Sequence, residues 1–163
     1  MKAIFDNSIL LVQNVAMQFC EVIFLNGLSH DDMRRLMDEA VLAQDKAYAP
    51  YSKFRVGAAL LFENGEIVRG CNVENSSYGM TLCAERNAMA AAVSMGLREP
   101  IAAAITGVTG EMCTPCGACR QFLSEFNPDM EIILQDGNDL ISIRLSELLP
   151  LSFSLKKKLA SDV

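Results

Sequence analysis

Cys83-Ala84-Glu85 and, beginning 30 residues after Glu85, Pro115-Cys116-Gly117-Ala118-Cys119 are the stretches of this chain best equipped to do chemistry. Cys83, Cys116 and Cys119 offer three thiolates that can hold one zinc ion. A structural zinc site closes its coordination with four protein ligands, whereas a catalytic one leaves a position open for water. Three cysteines with a carboxylate, Glu85, two positions after the first therefore point to hydrolysis rather than scaffolding. Cys113 lies three residues before Cys116 but ahead of Pro115, outside the helix turn, and competes poorly as a ligand. The plainer alternative, a structural ion or an accidental or redox-active Cys116/Cys119 pair, gives Glu85 nothing to do. His30 is the sole histidine and stands far upstream in a capping context, so the general base must be Glu85.

These residues need elements that bring them together. Cys83 opens an expected helix that runs through alanine-rich sequence to Gly96, where a C-cap glycine fits. Cys116 and Cys119 lie in the first turn of another, stopped by Asn127-Pro128, and a spacing of three makes them neighbours on that turn. Helix N-termini carry partial positive charge and free N–H groups, which favour thiolate over thiol. Three thiolates bring an excess of negative charge to a divalent ion and weaken its hold on the proton balance of bound water. Arg86 and Arg120, each directly after a ligand-bearing stretch, are placed to donate to the sulfurs and offset that excess.

The rest reads as alternating strands and helices. Ser29 with Asp32 resembles a capping arrangement for a helix over 30–47, which Pro50 closes off. Strands over 55–63 and 66–73 flank Asn64-Gly65, a strong hairpin signal. Further strands are expected over 101–108, 131–135 and 140–144, with a helical turn over 145–149. An opening antiparallel hairpin followed by largely parallel strand–helix–strand units predicts an α/β fold: three layers, α/β/α, around a mixed five-stranded sheet.

The chain has 163 residues, 51% of them apolar, with no low-complexity stretch, which suits one domain with a real core. A net charge of −6 argues against a nucleic-acid partner, because such binding rests on a basic surface. A small molecule is the better partner. Six cysteines in so apolar a chain read as metal ligands and small buried hydrophobes (Cys20, Cys71) rather than a disulfide framework, which implies a reducing, cytoplasmic location.

Residues 1–28 form an extension before the domain over 29–163. Its apolar run, 9–25, is broken by Gln13, Asn14, Gln18 and Glu21, and no continuous membrane span results. A helix docked on the protein or on a partner subunit is favoured over a targeting role. Upstream sequence with no part in the fold is a third alternative. The lysine-rich tail over 156–163 reads as a solvated end.

Beyond the zinc motif, four more stretches carry a family resemblance. They are Ala49-Pro50-Tyr51-Ser52-Lys53-Phe54-Arg55-Val56-Gly57-Ala58-Ala59-Leu60, Asn72-Val73-Glu74-Asn75, the continuation of the cysteine motifs through Arg86 and Arg120-Gln121, and Glu147-Leu148-Leu149-Pro150 followed by Phe153. In this order they resemble the small homotetrameric cytidine deaminases. The zinc spacing is a recorded deaminase signature, with cysteine where some members carry histidine. Two departures stand out: Thr114 where serine is commoner, and the longer N-terminal extension.

The resemblance implies one zinc ion per subunit and hydrolysis of cytidine or deoxycytidine to the uracil nucleoside and ammonia, a pyrimidine-salvage step. It assigns Asn72 and Glu74 to the ribose 3′-hydroxyl, Phe54 to stacking on the pyrimidine, and a backbone group of Ala84 to the base. It places Ser76, Tyr78 and Phe153 near a neighbouring subunit's substrate. From the residues alone, Asn72 and Glu74 lie two apart on a strand end and share a face; a turn-forming polar pair, and a core Phe, are the bland alternatives. Three competing functions are a blasticidin S deaminase-like enzyme, a nucleic-acid deaminase, and a non-catalytic zinc-stabilised oligomer. The acidic balance counts against the second, and Glu85 against the third.

Overall fold

The computed structural model describes residues 27–108 and 110–155; the expectations for the apolar extension, Cys20 and the lysine-rich tail lie outside them. Ser29 caps α1 (His30–Gln44) through a complete capping box with Asp32, which accounts for two of the free N–H groups at that end. The strands are β1 (Gly57–Phe62), β2 (Ile67–Cys71), β3 (Pro100–Thr106), β4 (Glu131–Asp136) and β5 (Asp139–Arg144). A short 3₁₀ turn (Tyr78–Met80) and α2 (Ala84–Ser94) separate β2 from β3. Then α3 (Gly117–Ser124) precedes β4, and α4 (Leu145–Leu148) follows β5.

The sheet runs in the order β2-β1-β3-β4-β5. Only the β3–β4 pair is parallel, joined through α3; the other neighbours are antiparallel. The expectation of parallel strand–helix–strand units holds in direction, because β2 and β3 both run antiparallel to β1. They do not pair, because β1 lies between them. Asn64-Gly65 lies in the hairpin turn, with Gly65 at φ 81, and Gly137 at φ 62 turns β4 back into β5.

Strand alternation divides the core into two layers. Ala59 and Leu61 of β1 face α1, packing with Leu36, Met37 and Ala40, while Ala58, Leu60 and Phe62 face α2 with Ala88, Met89 and Ala92. Leu123 of α3 and Leu145 of α4 join the second layer. Helices therefore cover both faces, as the sequence predicted, and the ligand-bearing helices share one face.

Gly70 lets α2 approach β2. A Cβ there would lie 2.4 Å from both the Ala84 carbonyl oxygen and the Ala88 nitrogen, backbone atoms that cannot swing aside. Gly70→Ala is expected to cost about 2–3 kcal/mol by overpacking, read as a lowered melting temperature, because the start of α2 must move off the sheet.

Candidate active site

Cys83 and Cys116 are the N-caps of α2 and α3, and Cys119 sits in the first turn of α3. Neither N-cap side chain bonds its own helix, so both sulfurs are available beside two positively polarised helix ends. The three sulfurs all lie within 4.8 Å of one another, with Cys83 and Cys116 3.9 Å apart. Two sulfurs bound at about 2.3 Å to one tetrahedral ion stand roughly 3.8 Å apart, close to the Cys83–Cys116 separation, so the donor set fits zinc. No other such cluster of metal-binding side chains occurs among the described residues, and the five described cysteines are all free thiols.

Glu85 is 4% exposed, in the first turn of α2. Burial pushes its carboxyl above the ordinary carboxylate range, and the neighbouring Cys83 charge pushes the same way. The Cys119 thiol hydrogen-bonds to Cys83 and holds it well below the usual thiol range, with help from Arg86. Cys119 is pushed up in turn, first by that hydrogen bond and then by burial. Burial also pushes Cys113 up, as an inert thiol beside the cluster requires.

Arg86 donates from one terminal nitrogen to the Thr81 carbonyl at 3.2 Å and to the Cys83 sulfur at 3.7 Å. Its buried Nε has no partner, so the guanidinium keeps donor capacity beside the ligands. Arg120 does not share the contact expected of it. It donates to the carbonyls of Pro115 at 2.8 Å and Leu148 at 2.9 Å, bracing the turn that presents Cys116 instead of a sulfur. Arg86→Gln is expected to weaken zinc retention and kcat/KM by about tenfold, measured by metal competition and steady-state rates. Wild-type values for both would remove Arg86 from this role.

The residues expected at the substrate fall into two groups. Phe54 is 45% exposed and lies close over Gly107 at the end of β3. Asn72, 8% exposed, donates from Nδ2 to the Phe54 carbonyl at 2.9 Å and accepts the Val56 N–H at 2.8 Å. The carboxylate of Glu74 accepts from the Tyr51 N–H at 2.8 Å and from the Ser52 hydroxyl; that hydroxyl is the main cause of its lowered pKa. Asn72 and Glu74 thus both brace the segment that carries Phe54, a scaffolding task that sequence spacing did not reveal. A cleft of about 380 Å³ beside Glu74 is lined by Tyr51, Ser52, Glu74, Tyr78 and Thr81, within the usual range for small-molecule pockets. Tyr51 and Tyr78 meet edge-on across it, ring centres 6.0 Å apart.

Ala84 is fully buried, while Ser76 and Tyr78 stand out in solvent. Phe153 is 61% exposed, its backbone held on α3 by a reciprocal pair of bonds with the Gln121 amide at 2.8 and 3.2 Å. Ser52 and Gln44 were given no role by sequence reading: Ser52 acts through the distant Glu74 carboxylate and the Phe54 N–H, and Gln44 through the carbonyls of Arg55 and Gly107.

Comparison with known proteins agrees with this arrangement. The family described as "Cytidine and deoxycytidylate deaminase zinc-binding region" matches residues 30–135. A cytidine deaminase of Halalkalibacterium halodurans is 47% identical over 127 residues, covering 76% of this chain and 95% of that protein. One from Sporosarcina psychrophila is 48% identical over 125 residues, covering 76% of this chain and 92% of the relative. The crystal structure of cytidine deaminase from Burkholderia pseudomallei superposes with a TM-score of 0.71 at 42% identity, covering 77% of this chain and all of that one.

Proposed function

This chain belongs to the zinc-dependent cytidine deaminase family, and we propose that it hydrolyses cytidine and deoxycytidine to uridine and deoxyuridine with release of ammonia. The observation that carries this is the three-sulfur cluster with the buried Glu85 carboxyl beside it. Zinc bound to Cys83, Cys116 and Cys119 would leave a position for water and bring that water's pKa towards neutrality.

Glu85 then does the proton work. Its carboxylate takes a proton from the water and delivers it to N3 of the cytosine ring, as the oxygen attacks C4. The second proton passes through the same carboxyl to the departing amine, which leaves as ammonia. A raised pKa suits a group that must hold a proton between the two transfers. Phe54 stacks on the pyrimidine, and the backbone at Ala84 orients it. Glu74 takes the ribose 3′-hydroxyl, joined by the second Nδ2 hydrogen of Asn72, the first being committed to Phe54.

The active oligomer is a homotetramer with shared sites. What supports this is large apolar side chains left bare: Tyr78, which lines the cleft, is 76% exposed, Met80 67%, and Phe153, held beside α3, 61%. Ser76, Tyr78 and Phe153 would then complete a neighbour's site. The physiological role is pyrimidine salvage, and the location is cytoplasmic, where three thiolates remain reduced. No helix among the described residues is long and apolar enough to cross a membrane.

Ammonia release from cytidine, deoxycytidine and blasticidin S, measured side by side, tests the substrate. Turnover of the first two and little of the third is expected. Preference for blasticidin S would replace the nucleoside reading with an antibiotic-deaminating one.

A further inference from the structure

Residues 53–56, which carry Phe54, belong to no helix or strand. A stretch outside a ladder is held only by the partners its backbone groups find. The Ser52 hydroxyl accepts the Phe54 N–H at 3.0 Å, and Asn72 takes the Phe54 carbonyl and the Val56 N–H. The Val56 carbonyl accepts the Asn72 N–H at 3.0 Å, and the Arg55 carbonyl accepts from Gln44 Nε2 at 3.0 Å. The same nitrogen donates to the Gly107 carbonyl at the far end of β3. Two carbonyl acceptors require the nitrogen of the amide, not its oxygen, to face them.

Gln44 reaches this point because Gly57 admits the last turn of α1. A Cβ at Gly57 would fall 2.0 Å from the Ala40 carbonyl oxygen and 2.5 Å from the Gln44 nitrogen. Gly107 is more mildly constrained, by side chains instead of backbone. A Cβ there would lie 2.9 Å from the Phe54 ring and 3.0 Å from the Cys113 sulfur. One amide therefore joins the segment that carries the ring to the residue over which the ring lies.

We propose that Gln44 is a positioning residue for the base: its amide ties the Arg55 carbonyl to the Gly107 carbonyl and sets the Phe54 ring at the height of the pyrimidine, resting on the stacking role given to Phe54 above. Gln44 touches no substrate. Its effect passes through the ring, and a ring that binds ground state and transition state alike changes KM more than kcat.

The test compares KM and kcat for cytidine, zinc content and melting temperature across wild type, Q44L, Q44R, F54A and the Q44L/F54A double variant. Q44L loses both donors and is expected to raise KM about tenfold with kcat within about twofold and zinc unchanged. Q44R restores paired N–H donors and brings KM back to within about twofold of wild type. In the F54A background, Q44L adds less than about twofold, because the ring it would position is gone. A wild-type KM in Q44L, an undiminished effect in F54A, or a Q44R as impaired as Q44L would each overturn the proposal. A wild-type KM in F54A would overturn the stacking role itself, and this proposal with it.

Discussion

Glu85→Gln lowers kcat by on the order of 10³-fold, while the protein keeps its zinc and its fold. Glutamine matches the carboxyl in shape and fills the same buried volume, so packing around α2 is preserved. What it lacks is an oxygen that can take a proton from water and give it up again. The sole histidine, His30, cannot substitute: it is exposed at the start of α1, far along the chain from the cluster. The stability effect has the opposite sign. A carboxyl whose folded-state pKa is raised destabilises the fold increasingly as pH climbs from its unfolded value through its folded one. The neutral amide escapes that penalty, so at neutral pH the metal-free variant should melt no lower than the metal-free parent. A variant with near-normal turnover would refute the assignment of Glu85.

Cys119→Ala removes a fully buried ligand, and its consequences extend from chemistry to folding. With one sulfur gone, the two remaining donors sit at the ends of different helices, and zinc affinity should fall by at least about 100-fold. Activity falls below detection. The cluster also clamps the starts of α2 and α3 together, so metal binding contributes to the folded state. At zinc a thousandfold above its Kd, that linkage is worth about 4 kcal/mol, and the variant should lose it. Chelation of the parent should reproduce the loss, and added zinc should reverse it in the parent but not in the variant. Metal analysis alongside thermal melts reads both. A Cys119→Ala protein that retains stoichiometric zinc would shift the ligand set elsewhere, with Cys113 the nearest candidate.

The metal-binding part of the site was legible because its signals are local. A cysteine at a helix start with a carboxylate two residues on, and a pair of cysteines three apart at another start, all follow from spacing within short stretches. The hairpin at Asn64-Gly65 and the capping box at Ser29 are legible for the same reason. What spacing could not show is where long side chains end when distant backbone meets. Arg120 looked like a sulfur donor by adjacency, yet the Pro115 carbonyl just ahead of α3 and the Leu148 carbonyl, brought beside it by α4, take its hydrogens. Asn72 looked like a free ribose ligand, but two of its hydrogen bonds go to the Phe54 segment. Gln44 gave no signal at all, since its role exists only once α1 closes on Gly57. Sheet order was hidden likewise: strand directions follow from the connections, but the insertion of β1 between β2 and β3 depends on burying both faces of its run Gly57–Phe62.

The most direct measurement is simultaneous release of ammonia and uridine from cytidine by purified protein of known zinc content. Protein carrying one zinc ion per chain should release the two products in equal amounts, stop when the metal is chelated, and resume when zinc is returned. Folded, fully zinc-loaded protein that releases no ammonia from cytidine would contradict the assignment.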